Sequence, residues 1–226
     1  MMKIKPHSTP PLPRTHMTVD EPIDKKLLKY EPIKDCFSNA SFTLLTGRMG
    51  SGKSSTVISL IKGVFKKCFH DIIVIIPSIS MRSIKEEDNV FAMLPDENIF
   101  HEFNEETMIE IEKRVIENAN DGYTTLLIID DFGSRMKELS SPEYKIFKRV
   151  IIKIRHARTS VMLLCQNIFQ LEKQVRELVT NVLFFDMGVS QNEKLIREFL
   201  PYNEKQCEEI MSAFTKPHDF IILNTK

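Results

Sequence analysis

The sequence predicts an α/β domain, a mostly parallel central sheet flanked by helices. Two patterns predict it. From residue 41 onward, short continuous apolar runs alternate with stretches of helical periodicity, as strands buried on both faces do when crossover helices separate them. A glycine-rich loop, Gly47 to Ser54, joins the first apolar run to the first helical stretch, and strand, glycine loop, helix is the order in which such a loop acquires a function.

Residues 1–38 come first and differ from the rest. They hold six of the eleven prolines, including Pro10-Pro11 and Pro13, which is too many for helix and lacks the alternation of a strand. They form an N-terminal arm, read either as a disordered tail or as an arm draped over a neighbouring subunit. The domain proper spans residues 39–226. Its strands are expected at Phe42–Leu45, Ile72–Ile76, Leu126–Ile129, Val161–Leu164 and Val182–Phe185, with Phe220–Leu223 closing the chain. Each run is short and bounded by polar residues, as buried strands are. Helices are expected at 53–67, 105–119, 142–156, 170–179, 191–199 and 203–213. In the second of these Met108, Ile111, Val115 and Ile116 share one face and Glu110, Glu112 and Lys113 the other, the division of a helix lying on a sheet.

Composition narrows the class. The 226 residues suffice for one good core. With 42% hydrophobic and 27% charged residues, the chain reads as an ordinary soluble protein. Its formal net charge is zero, so a nucleic-acid partner must be met by a local patch or by patches summed around an oligomer. Cys36, Cys68, Cys165 and Cys207 lack metal-ligand spacing and read as reduced thiols in a cytosol-like compartment. No apolar run reaches the roughly 18 residues of a membrane helix and no signal peptide is visible, so no membrane partner is expected.

The loop Gly47-Arg48-Met49-Gly50-Ser51-Gly52-Lys53-Ser54 matches G-x-x-x-x-G-K-[ST], the Walker A phosphate-binding motif. Its glycines let several backbone N–H groups turn inward toward phosphate oxygens, and the helix that follows adds its positive end. Gly47, Arg48, Met49, Gly50, Ser51, Gly52, Lys53, Ser54 and Ser55 are therefore the nucleotide-binding stretch, with Lys53 on the β- and γ-phosphates and the Ser54 hydroxyl on Mg²⁺. No N-K-x-D guanine motif occurs, which points to ATP over GTP. A second motif, Thr125-Leu126-Leu127-Ile128-Ile129-Asp130-Asp131, is a buried strand ending in two acids. This is a Walker B pattern, in which Asp130 holds Mg²⁺ through its water shell and Asp131 polarises the attacking water.

A third strand, Ser160 to Cys165, ends at Gln166-Asn167. If it lies between the first two, the Gln166 amide stands beside the γ-phosphate, where it can donate to a phosphate oxygen and accept from water. Ahead of it runs a basic stretch, Lys145, Lys148, Arg149, Lys153, Arg155, His156 and Arg158. Most of it is the solvated face of an amphipathic helix. Arg155 or Arg158, at the subunit edge of a ring, is the candidate to neutralise a neighbour's γ-phosphate, and Arg48 is a further candidate. In the segment Phe132–Lys137, Arg135 and Lys137 are available to backbone phosphates of a nucleic acid or are ordinary surface charges.

In this order and spacing, Gly47–Ser54, Leu126–Asp131 and Arg155-His156-Ala157-Arg158 leading into Leu163-Leu164-Cys165-Gln166 resemble a known family. They are similar to the genome-packaging ATPases of large double-stranded DNA viruses and virophages, the poxvirus A32-like branch of the FtsK–HerA superfamily. The resemblance covers about residues 40–186; relatives often carry Glu where Asp131 stands. It implies a RecA-like sheet of the additional-strand (ASCE) P-loop NTPase class, order 5-1-4-3-2. It also implies a homo-oligomeric ring using ATP and Mg²⁺ to push double-stranded DNA, without regard to sequence, into a preformed capsid at its portal vertex. The place of action is then the viral assembly site in the host cytoplasm, and the virion itself is a second location. Two other classes share the phosphate loop: a small nucleoside or nucleotide kinase, and a nucleotide-dependent assembly switch without motor activity.

Overall fold

The computed structural model describes Phe37 and residues 40–130 and 141–225. The arm 1–38, apart from Phe37, therefore lies outside the described residues, as do Asp131 and the 132–137 segment. Seven strands form one sheet: β1 (Phe42–Thr46), β2 (Asp71–Ile75), β3 (Ile99–Phe100), β4 (Thr125–Asp130), β5 (Thr159–Cys165), β6 (Asn181–Phe185) and β7 (Phe220–Asn224). Their spatial order is β3-β2-β4-β5-β1-β6-β7.

Strands β2, β4, β5, β1 and β6 are parallel neighbours. Numbered by the five expected runs, this central part reads 5-1-4-3-2. Two edge strands enlarge it. β3 is a two-residue parallel addition beside β2, too short to leave a pattern in sequence. β7 runs antiparallel to β6, so its first residue, Phe220, returns to the end of the sheet where β6 finishes.

The period of two inside each buried strand divides the core into two layers. Phe42, Leu44, Ile73, Ile75, Leu127, Ile129, Val161, Leu163, Val182 and Phe184 face one layer. It is covered by α3 (Glu105–Asn120), α4 (Pro142–Lys153), α6 (Val189–Phe199) and α7 (Glu204–Met211). Leu45, Val74, Leu126, Ile128, Met162, Leu164 and Leu183 face the other, where α1 (Lys53–Lys62) packs with Phe37, Phe65 and Phe91. Both faces are covered, which is why β1, β4, β5 and β6 are buried along their whole length.

Helix ends follow local chemistry. The Asn104 side chain accepts from Thr107 N–H and opens α3, with Glu105 and Glu106 in its first turn. Ser141 caps α4, whose first residue is Pro142. Asn203 and Gln206 form a reciprocal capping box on α7. Some expected helix bounds need correction, and one helix is additional. α1 stops at Lys62 and not at 67, because Gly63 follows and costs helix about 1 kcal/mol. The expected 170–179 helix is a 3₁₀ turn at Ile168–Gln170 and a four-residue α5 (Lys173–Arg176). There the Tyr144 hydroxyl accepts from Glu172 N–H at 3.2 Å, a tertiary bond replacing a helical one. A short helix α2 (Ser78–Arg82) was not expected; it buries no residue, so no apolar period announces it.

Candidate nucleotide site

The parallel strands deliver the chemistry to one edge. Thr46, the last residue of β1, lies opposite Cys165 on β5 and Phe184 on β6, and Asp130 lies opposite Leu164. Gly47, Gln166 and the end of β4 therefore leave the sheet side by side, with β5 between β1 and β4. This is the carboxyl edge, where ligands bind in open α/β sheets.

The phosphate loop turns through Gly50 at φ 74° and Gly52 at φ 106°, both in the left-handed region. At Gly47 the demand is space: an added Cβ would stand 2.7 Å from Ser51 Oγ and 2.9 Å from Phe185 Cβ. Lys53 opens α1 and folds back across the loop, its Nζ donating to the carbonyls of Gly47 at 2.8 Å and Arg48 at 2.9 Å. Ser54 Oγ donates to Asp130 Oδ2 at 2.7 Å, and Asp130 is only 6% exposed. Ser51 Oγ is buried with no hydrogen-bond partner among the described residues. Ser55 is exposed on the first turn of α1, and Met49 is 85% exposed at the tip of the loop.

Gln166 is exposed just past β5. Beside it Cys165 is buried, and burial pushes its thiol up to about 11; it is a neutral packing residue.

The arginines are placed differently. Arg155 and Arg158 precede β5, at the amino edge of the sheet. The seven residues of β5 separate them from Gln166, about 20 Å of strand and beyond an arginine's reach. Neither serves the phosphate loop of its own chain. Arg158 Nη1 donates to the Gly122 carbonyl at 2.9 Å, while Arg155 is exposed. Arg48 is exposed but folds back on its own chain: its guanidinium donates to the Met187 carbonyl and strengthens the charged form of Asp186. Gly188 N–H and the Asn192 amide contribute more to holding that carboxyl below its ordinary value. Much of the remaining basic stretch is paired within the chain, Lys148 with Glu172 at 2.6 Å and Arg149 with Glu112 at 2.7 Å.

Sequence reading missed one segment. The turn Phe214–Asp219, held by Asp219 Oδ2 accepting from Thr215 N–H and Lys216 N–H, brings the His218 ring to the phosphate loop. His218 Nδ1 lies 3.1 Å from the Ser51 carbonyl. The available signal was the Lys-Pro-His-Asp turn directly before the last apolar run.

The fold is that of RecA-like P-loop ATPases. The chain superposes on B204, the DNA-packaging ATPase from Sulfolobus turreted icosahedral virus, with a TM-score of 0.60 at 18% identity, covering 82% of this chain and 92% of that one. B204 from Sulfolobus turreted icosahedral virus 2, in complex with ATP-gammaS, gives 0.58 at 17% identity over 83% and 93%. ATPases 2 and 3 of EssC from Geobacillus thermodenitrificans give 0.52 at 13% identity over 73% of this chain and 35% of that one. No curated protein sequence is similar enough to match. The family model for the poxvirus A32 protein matches residues 32–218, from before the phosphate loop to His218. The edge that carries the loop, the buried acid and the glutamine thus lies within that match, and the chain belongs to the poxvirus A32 protein family.

Proposed function

We propose that this chain is an ATP-hydrolysing motor that drives double-stranded DNA into a viral capsid. The observation that carries the reading is the 2.7 Å hydrogen bond between Ser54 and Asp130 beneath the phosphate loop, in a chain of the poxvirus A32 family.

The donor set suits Mg²⁺. A hydroxyl and a buried carboxylate are hard oxygen donors held side by side, as this ion requires. When bound there by Ser54, and by Asp130 through water, it would neutralise charge on the β- and γ-phosphates. The remaining work belongs to the chain. Backbone N–H groups of Gly47–Ser55 hold the triphosphate, Ser51 Oγ offers a donor still without an acceptor, and Lys53 needs only to exchange loop carbonyls for phosphate oxygens. Asp131 takes a proton from the attacking water. Gln166 holds that water in line with the γ-phosphorus and reports when the phosphate has left.

Arg155 or Arg158 stabilises the transition state of a neighbouring subunit, which makes a homo-oligomeric ring the working form. DNA is held through its phosphates, Arg135 and Lys137 being the nearest candidates to the acid pair in sequence. The capsid vertex is the destination. The motor works as a soluble assembly at the viral assembly site in the host cytoplasm, and the virion is a second location.

Purified protein should release phosphate from ATP, faster with double-stranded DNA present. Lys53→Ala should lower that turnover by about 100-fold or more, the scale of losing a charged transition-state donor. DNA affinity should fall steeply with salt, since contacts to phosphates release counterions. Unchanged turnover in Lys53→Ala, or transfer of the γ-phosphate to a nucleoside in place of its release, rejects the motor.

A further inference from the structure

Two facts about His218 go together. Its φ of 68° lies in the left-handed region, a conformation that costs a residue with a Cβ about 1 kcal/mol or more unless its surroundings impose it. The result of that twist is a ring placed against the phosphate loop, Nδ1 facing the Ser51 carbonyl at 3.1 Å. A carbonyl only accepts, so Nδ1 donates to it, which leaves Nε2 of the neutral ring as an acceptor. A Cβ built on Gly52 would be 3.6 Å from the same ring, so the histidine sits over the loop's second turn.

The same ring forms one end of an open groove of about 990 Å³. The groove starts at Gly50–Ser54, runs along the solvent face of α1 past Ser55 and Ser59, and is walled on its far side by Ile84 and Lys85. Phe220 completes the end beside His218; it is 37% exposed and stacks obliquely on Phe185, the ring that lies against Gly47. The groove is continuous with the loop, so it is open to the nucleoside of a triphosphate fixed there. An imidazole and a partly exposed phenyl ring are the surfaces on which a planar base stacks.

We infer that His218 and Phe220 form the nucleoside subsite, with a purine base against their rings, and that His218 ties occupancy of this subsite to the shape of the phosphate loop through the Ser51 carbonyl. This inference rests on the phosphate-loop reading above and adds the part of the ligand that the loop does not touch. His218 is then a specificity residue, distinct from the groups that handle the γ-phosphate.

The test separates base from phosphate. The full-length chain is titrated calorimetrically with ATP and with inorganic tripolyphosphate, both with Mg²⁺. His218→Asn keeps a residue that tolerates positive φ and removes the ring; Phe220→Leu keeps the apolar volume and removes the aromatic face. Each should weaken ATP about tenfold, the effect of one lost stacking contact, and leave tripolyphosphate within about twofold, as expected where a contact is absent. Equal weakening of both ligands would reduce His218 to a prop for the loop and overturn the inference. So would unchanged ATP affinity in both variants, or wild-type protein that binds the two ligands equally well. A wild-type chain that binds neither ligand overturns the phosphate-loop reading itself; where the wild type binds both, Lys53→Ala should weaken both together, and its failure to do so also counts against that reading.

Discussion

Gly47 and Gly50 are glycines for different reasons. At Gly47 a methyl group would meet Phe185 Cβ at 2.9 Å, a packed neighbour that cannot swing aside, whereas at Gly50 nothing lies within 4 Å and only φ of +74° resists a side chain. Gly47→Ala should therefore cost about 1–3 kcal/mol through overpacking and displace the loop. Gly50→Ala should cost about 1–2 kcal/mol through backbone strain alone. Urea denaturation of the two variants measures the costs, and ATP titration shows which of them moves the loop. Gln166 is exposed past the end of β5, so Gln166→Ala should leave stability unchanged. If the amide acts on water in the transition state, kcat falls by about 100-fold with KM little altered; a rise in KM alone would make it a binding group. Cys165 is neutral near pH 8, since burial holds its thiol at about 11, and maleimide should spare it in the native protein and label it after unfolding.

At the scale of elements, the two edges of the sheet have separate tasks. The amino edge carries a polar clamp joining β2, β4 and α3. Arg114 makes two bonds to the Asp71 carboxylate, at 2.8 and 3.0 Å, and a third to Asn98 at 2.7 Å. Asn118 links Asp71 to Thr125. Both charged side chains are mostly shielded, 26% and 13% exposed, so removing one strands the other. Arg114→Met should destabilise the domain by about 2–4 kcal/mol while the remaining folded molecules keep full turnover, because the phosphate loop lies at the opposite edge. Thermal melting together with activity per folded molecule checks this. The turn after β6 belongs to the carboxyl edge. There Gly188 N–H, the Asn192 amide and Arg48 hold Asp186 below its ordinary 3.8. A depressed carboxylate binds fewer protons folded than unfolded, so its contribution is present above pH about 4 and is lost as pH falls through the lower folded value. The acid limb of the Tm–pH curve should be shallower in Asp186→Asn, whose side chain does not titrate.

At the scale of the whole molecule, the distance from Arg155 and Arg158 to their own phosphate loop makes any catalytic role for them a property of an assembly. Mixing Arg155→Ala or Arg158→Ala subunits with Lys53→Ala subunits should restore part of the turnover that each variant lacks alone, since a mixed interface can hold one complete site. Absence of rescue at every ratio removes the trans assignment. Particle mass with a non-hydrolysable ATP analogue and DNA would read the ring directly. Much of this was legible in one dimension. Lys53, Ser54 and Asp130 announce themselves because phosphate binding demands fixed residue types at fixed spacing, and the central strands do so because burial on both faces demands unbroken apolar runs. The sequence alone thus determined the parallel α/β core, the phosphate loop and its acidic partner. Three matters belonged to tertiary structure: the edge strand β3 with the antiparallel pairing of β7, the contact of Arg48 with the Met187 carbonyl, and the meeting of His218 with Ser51 across 167 residues. Each depends on which segments become neighbours after the sheet has formed, and a hydrogen bond between distant segments imposes no periodicity on either of them.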